Sequence, residues 1–416
     1  MLHHIADGVG SVDFDPDTFA YAINGRSLPG ERPLPDMENR NHQTLDPYRD
    51  PAPIATINIA NTMSCNMVCG YCYCGDLPLP RSRERASEIQ LNQIRRFIRA
   101  RAGLRASLVF IGGEPLTAPV SLEDLVLAAR GAAEEHNTDL SIALYTNGLA
   151  LTRRRLDWVN DNRIHLVISF DGLPEYHDTN RKLRSGAPSS GPILKNIARY
   201  RSTYWSGIRS VRAVATPAID YRETVDFLRK IGFNDIGIQV AYGTDDVIDH
   251  EGLIEDYSAT LEWYVEKLIG GDFFILRPFS ESLLKFARRG NLISSHLPCS
   301  AGYSMLALSP SGNFVPCHHF FGDKKFDNPL MAKNLLNNRG EFFKSVASRS
   351  TCKDCIVRKL CGGACYHRSY RREGDYFGVN RSECAVRIAL LPHIVRSFDR
   401  LLRKRADALS YICSAE

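Results

Sequence analysis

Three thiols stand close together in the stretch SCNMVCGYCYC, residues 64–74: Cys65, Cys69 and Cys72, separated by three and then two residues. Offsets of four and three residues bring side chains to one side of a tight turn. Thiolates in such a turn can share zinc or an iron–sulfur cluster. A [4Fe-4S] cube takes four thiolates, so three local ones leave an iron open to a small molecule. On spacing alone, a zinc knuckle or a set of buried free thiols is the alternative.

The CxxxCxYC spacing resembles the signature of radical S-adenosylmethionine (radical SAM) enzymes. That resemblance implies a cluster on Cys65, Cys69 and Cys72 whose open iron is chelated by S-adenosylmethionine. It also implies reductive cleavage of the sulfonium to a 5′-deoxyadenosyl radical that takes a hydrogen atom from substrate. The cofactor carries the hard chemistry, and the protein positions it.

The elements that must hold this loop are legible as an alternation. From residue 54 short apolar runs alternate with amphipathic segments, the pattern of βα units around a parallel sheet. Strands are expected at 54–61, 107–112, 141–146, 165–170, 210–216 and 235–241. This resembles the partial (β/α)6 TIM-like barrel of the radical SAM family, an α/β fold in which ligands sit at the C-terminal ends of strands. The motifs fall at those ends. Gly112-Gly113-Glu114-Pro115 resembles the family's GGEP motif, which binds the amino group of S-adenosylmethionine. Asn147, in Thr146-Asn147-Gly148, is a cofactor contact or simply part of a polar turn. Ser169-Phe170-Asp171-Gly172, followed by His177, Asp178 and Arg181, resembles the SxDG…HD..R pattern of the peptide-modifying subgroup. By that resemblance Ser169 lies near the cofactor and Asp171 faces the active site with a catalytic role. Tyr71 of the cysteine motif is a further cofactor contact, and Arg212 matches an arginine that pairs with the cofactor carboxylate. Gln239 is a ribose contact or a satisfied core amide.

A second group of cysteines follows: Cys299 and Cys317 around Gly312, then Cys352, Cys355, Cys361 and Cys365, then Cys384. The spacing Cx12Gx4C, Cx2Cx5Cx3C and a final Cys resembles the SPASM extension of radical SAM enzymes. That implies one auxiliary [4Fe-4S] cluster on Cys352, Cys355, Cys361 and Cys384, and a second on Cys299, Cys317 and Cys365. The second lacks a fourth thiol between residues 300 and 316, which leaves an open iron, a non-Cys ligand or a recruited thiol. Two zinc sites are the competing reading. Cys74 and Cys413 remain outside both sets. His318 follows Cys317 and is a candidate catalytic proton acceptor, cluster ligand or tuning donor; His319 is expected to be structural.

Length and composition bound the rest. At 416 residues the chain is long enough for two or three domains. The divisions expected are an irregular Pro- and Gly-rich arm at 1–52, the barrel at 53–250, a helical bridge at 251–296, the SPASM domain at 297–390 and a C-terminal helix at 391–416. The arm is expected to be too short for a full leader-binding domain. A net charge of +5 is too weak a bias for nucleic acid. The basic stretch 81–105 carries Ile89, Leu91, Ile94, Phe97 and Ile98 at helical spacing and is expected as an amphipathic helix, not a polyanion site. No apolar run long enough to cross a membrane and no signal peptide is evident, and twelve cysteines in such a chain point to metal in the cytoplasm, not disulfides.

The expected function is a cytoplasmic radical SAM/SPASM maturase acting on a ribosomally made peptide or protein. It would remove a hydrogen from a side chain or Cα and leave an oxidative cross-link or other two-electron oxidation. Cofactors are S-adenosylmethionine and three [4Fe-4S] clusters; partners are a precursor peptide and an external electron donor such as flavodoxin or ferredoxin. Two rivals stand beside it: dehydrogenation or sulfur transfer on a sugar, aminoglycoside or nucleotide, and a non-catalytic zinc-binding module.

Overall fold

The structure is a computed structural model that describes residues 3–27, 54–75, 85–216, 219–241, 250–337 and 345–414. Its strands in chain order are β1 His3–Asp7, β2 Gly10–Phe14, β3 Tyr21–Ile23, β4 Arg26–Ser27, β5 Thr56–Ile59, β6 Met67–Cys69, β7 Arg105–Phe110, β8 Asp139–Thr146, β9 His165–Ser169, β10 Arg181–Leu183, β11 Ser210–Ala215, β12 Asp235–Val240, β13 Ile275–Arg277, β14 Met305–Leu308 and β15 Phe314–Val315. The six strands expected of the partial barrel are β5, β7, β8, β9, β11 and β12, and they lie parallel and adjacent in the order β12-β11-β9-β8-β7-β5. Helices on the outside of the sheet bury one face of each strand, which is why β11 reads as Val211, Ala213 and Ala215 buried with Arg212 and Val214 facing the interior.

The sheet is longer than the expected six strands. β13 adds in parallel beside β12, and β14 adds in parallel beside β5 before turning back as β15. The stretch 251–296, expected to be helical, therefore contains a strand between its helices His250–Ile269 and Phe279–Ala287. Its apolar run is only Phe273, Phe274, Ile275 and Leu276, too short to read as a strand without its neighbour. β14 belongs to the second cysteine region, so that region grows out of the barrel sheet itself.

The expected arm also needs correction. Residues 3–27 form a four-stranded antiparallel sheet, β1-β2-β3-β4, while 28–52 lie outside the described residues. Asn24-Gly25 joins β3 to β4 with positive φ at both residues, 50° and 71°, the two-residue hairpin turn whose twist suits antiparallel strands. Phe14 and Phe19 of this sheet pack on Phe286 at 5.5 and 5.0 Å between ring centroids, and Phe398 completes the cluster. Arg396 clamps Asp7 through both guanidinium nitrogens at 2.7 and 2.8 Å. The single C-terminal helix expected is two, Leu391–Lys404 and Asp407–Ser414, the first burying Leu391, Ile394, Val395, Phe398 and Leu401 along one stripe.

The basic stretch contains the helix Glu88–Ala100, capped by Ser87 and burying Ile94, Phe97 and Ile98. Ile89 is 57% exposed, off the core face. It instead meets Gly312 in the β14–β15 turn, where a Cβ would lie 2.3 Å from its Cγ2. The glycine of the second cysteine pattern is thus the point where that region rests on the barrel's first helix.

The N-terminal sheet is held by aromatic packing more than by its own length. Phe14→Ala, at a position 1% exposed, is expected to cost ~3–5 kcal/mol, read as a lowered midpoint in chemical denaturation; an unchanged midpoint would show that the sheet is dispensable.

Candidate active site at the barrel mouth

The loop bearing Cys65, Cys69 and Cys72 leaves the C-terminal end of β5 and is fixed from both sides. On one side it lies under the turn after β7: the Gly113 and Glu114 amides donate to the carbonyls of Thr62 and Ser64 at 3.3 and 2.8 Å. This approach requires glycine, since a Cβ on Gly113 would sit 2.2 Å from the Ser64 carbonyl oxygen. On the other side the loop itself becomes a strand. β6 pairs antiparallel with β10, placing Cys69 opposite Arg181 and Met67 opposite Leu183. The Gly70 amide donates to Asn180 at 3.0 Å, and Arg184 donates to the Cys65 carbonyl at 3.2 Å.

Beneath this ladder lies a buried ion pair. Arg181 Nε donates to Asp171 Oδ2 at 2.9 Å, with the two side chains 10% and 2% exposed. Asp171 Oδ1 accepts the Val214 amide at 2.9 Å, and its other oxygen also accepts the Tyr71 hydroxyl. The Arg181 guanidinium lies 5.3 Å from the Tyr71 ring centroid. Burial disfavours the Arg181 cation, but the charges of Asp171, Tyr71 and Cys69 outweigh it and hold it firmly protonated. Both oxygens of Asp171 are therefore hydrogen-bonded, to Arg181, the Tyr71 hydroxyl and the Val214 amide, which ties Asp171 and Tyr71 to the cysteine loop. His177 accepts the Asp171 amide at 3.2 Å and meets Ser189 at 2.9 Å, so the HD..R stretch is one bonded unit.

The thiols differ electrostatically. Burial and the nearby Glu114 charge push Cys65 up to about 12. Burial also raises Cys69, against the pull of Arg181. A hydrogen bond from Cys74 is the main reason Cys72 falls to about 6, so Cys74 is a packed partner of a ligand thiol. Metal binding must displace protons from Cys65 and Cys69.

Other expected contacts fall into two groups. Glu114 turns away from the mouth: it is 1% exposed and accepts from Thr146 Oγ1 and the Asn147 amide, each at 2.7 Å, and from the Leu116 amide at 3.1 Å. Gly112, Gly113 and Pro115 shape this turn around the loop. Asn147 donates to Asn66 at 2.8 Å and approaches the Cys65 sulfur at 3.9 Å, tying β8 to the cysteine loop. Ser169 and Gln239 line the interior at the strand ends, Ser169 half-buried and Gln239 exposed, so Gln239 is no core amide. Arg212 is bonded to Asp235 Oδ2 at 3.1 Å, in a network with Ser210, His165 and Arg277.

The second cysteine region gathers its thiols into two sets. Cys317 is raised by burial and by the charges of Cys299 and Cys365. Cys352, Cys355, Cys361 and Cys384 line one cavity together with Arg387 and Glu383. Charge at Cys361 raises Arg387, a cation on the wall of this cavity. Four thiols lining one cavity are a donor set that fits an iron–sulfur cluster or a zinc ion.

His318 links this region to the barrel. Its Nδ1 lies 3.0 Å from the Asn58 amide of β5. Its ring is 5.6 Å from that of Tyr73, in the catalytic cysteine loop. Burial, aided by His367, lowers it to about 4, so the imidazole is neutral. His319 packs between Tyr73 at 4.4 Å and His367 at 5.1 Å. Sequence reasoning missed Tyr73, Arg184 and the structural role of Arg181; only the last carried a signal, its place in the HD..R pattern.

With this geometry in hand, known proteins were compared. Residues 62–217 match the radical SAM superfamily. The chain carries a radical SAM domain. The serine-type anaerobic sulfatase-maturating enzyme of Bacteroides thetaiotaomicron is 23% identical over 75% of this chain and 82% of its own length. The radical SAM cyclopropyl synthase TigE of Paramaledivibacter caminithermalis is 20% identical over 85% and 76%. The solved structure of native anSMEcpe with bound AdoMet and Cp18Cys peptide superposes with a TM-score of 0.65 at 19% identity, covering 84% of this chain and all of that one. The partial barrel and its cysteine-rich extension are thus the shared fold, and the radical SAM domain spans β6 to β11.

Arg181→Leu would leave Asp171 buried without its cation, and the expected loss is roughly 3–5 kcal/mol in urea denaturation. Stability equal to wild type would mean that the pair does not hold the loop.

Proposed function

We propose that the chain is a radical SAM/SPASM maturase that oxidises a ribosomally made peptide or protein by two electrons, as an oxidative cross-link or related change. One observation carries this reading: the loop of three thiols is held at the barrel mouth by the strand β10 of the SFDG…HD..R stretch, and Tyr73 of that loop meets His318 of the second cysteine region at 5.6 Å. Relatives that act on sulfatases, and a neighbour bound to a peptide, support a peptide substrate.

When bound, a [4Fe-4S] cluster with S-adenosylmethionine supplies reductive cleavage to a carbon radical that abstracts hydrogen from an unactivated position. Cys65, Cys69 and Cys72 would hold that cluster. Gly112 and Gly113 keep the backbone close to the loop, Asn147 braces Cys65, and Ser169 and Gln239 line the space where the nucleoside would lie. Cys352, Cys355, Cys361 and Cys384 would hold one auxiliary cluster, with Arg387 as counter-charge. Cys299, Cys317 and Cys365 would hold the other, which serves as electron acceptor. His318, neutral and oriented by Asn58, is the proton acceptor as the product forms. The reducing electron would come from a flavodoxin- or ferredoxin-like donor, in the cytoplasm. Among the described residues no helix is long and apolar enough to cross a membrane.

Anaerobically reconstituted protein is expected to release 5′-deoxyadenosine from S-adenosylmethionine, and Cys65→Ala to abolish it; retained cleavage removes the loop from the chemistry. Co-expression with short peptides encoded beside the gene is expected to yield one lighter by two hydrogens. His318→Ala should reduce that product strongly while leaving 5′-deoxyadenosine release in place, a split readable by mass spectrometry. Loss of both together would assign His318 to the fold.

A further inference from the structure

Arg349 brings a charge into a part of the second cysteine region nearly closed to water: it is 3% exposed. Burying a guanidinium is costly unless compensating charge or hydrogen bonds stand close. Its surroundings are shaped to keep it there. The guanidinium carbon lies 4.9 Å from the Tyr366 ring centroid and 5.4 Å from that of Phe377, both within cation–π range. Gly363 leaves room for it, since a Cβ there would sit 2.6 Å from Nη1. The Arg349 carbonyl accepts the Cys352 and Lys353 amides at 3.0 and 2.9 Å, so the residue also opens the turn that carries Cys352.

The position of this cation relates it to the cysteines. Tyr366 adjoins Cys365, and Gly363 lines the cavity of Cys352, Cys355, Cys361 and Cys384. The guanidinium therefore stands where the two thiol sets approach each other. The guanidinium packs against residues on both sides of Cys365 in the chain, the Gly363 backbone and the Tyr366 ring. The distal set has its own cation, Arg387, on its cavity wall.

We propose that Arg349 is the fixed counter-charge of the iron–sulfur cluster held by Cys299, Cys317 and Cys365 and raises its reduction potential. The inference rests on the reading of those three cysteines as a cluster site. One-electron reduction adds one negative charge to such a cluster, and a cation fixed beside it in a poorly screened interior stabilises the reduced form. A higher potential makes the cluster a better acceptor for the electron left on an oxidised substrate.

The test is an EPR-monitored redox titration of the full-length, anaerobically reconstituted protein and its Arg349→Gln and Arg349→Lys variants, with iron and sulfide measured on each. The signal that Cys299→Ala removes identifies the cluster. Arg349→Gln is expected to move its midpoint to more negative potential, Arg349→Lys to leave it near wild type, and the distal cluster to move less in both. Arg349→Met replaces the glutamine variant if that protein does not assemble. An unshifted midpoint at full iron content overturns the proposal while leaving the cluster reading intact. A lysine variant shifted as far as the glutamine one also overturns it, because packing and not charge would be the cause. Wild-type protein with iron and sulfide for one cluster only would remove the auxiliary-cluster reading and the proposal together.

Discussion

Arg181 and Asp171 form an ion pair in a place where neither charge could stand alone. Asp171 satisfies the arginine, the Tyr71 hydroxyl and the Val214 amide at once, which makes the desolvation of both partners tolerable. The consequence reaches the cysteines because Arg181 is also the residue of β10 that faces Cys69 across the β6–β10 ladder. A single buried contact thereby ties the ends of β9 and β11 to the loop that must present three thiols in one geometry. Loops are mobile by default, and a cluster site needs ligands held by rigid elements. Here the loop borrows rigidity from the strands around it.

The second cysteine region shares the barrel's architecture. β14 extends the barrel sheet from β5, Gly312 rests on Ile89, and His318 meets Asn58. The rings of Tyr73, His318, His319 and His367 then bring the catalytic loop and the auxiliary loops into contact. Two arginines, the buried Arg349 and Arg387 on the wall of the four-cysteine cavity, place positive charge beside thiols that would otherwise repel one another. This is a charge distribution suited to anionic centres, and it comes from residues that no cysteine pattern contains.

Much of this was legible because it depends on local spacing. The cysteine offsets, the GGEP turn after the second barrel strand and the six apolar runs each follow from short-range rules, and the barrel strands appear where those runs stand. What was not legible had a physical cause in each case. The resemblance named Asp171 and Arg212 at the strand ends, but their ion-pair partners, Arg181 and Asp235, meet them only once the chain is folded. The N-terminal sheet was hidden by strands of two to five residues, although Asn24-Gly25 was a readable hairpin turn. β13 was hidden because a run of four apolar residues becomes a strand only beside β12.

The sequence by itself determined which residues could bind metal and the order in which the barrel strands arise, since thiol chemistry and hydrophobic periodicity are properties of neighbours along the chain. The tertiary structure alone decided which charges are spent on holding the site and which remain free for chemistry. That division depends on who meets whom after folding: Arg181 with Asp171, Arg212 with Asp235, and Arg349 with the rings of Tyr366 and Phe377. Burial sets the strength of each of these contacts, and burial is not written in any local stretch of residues.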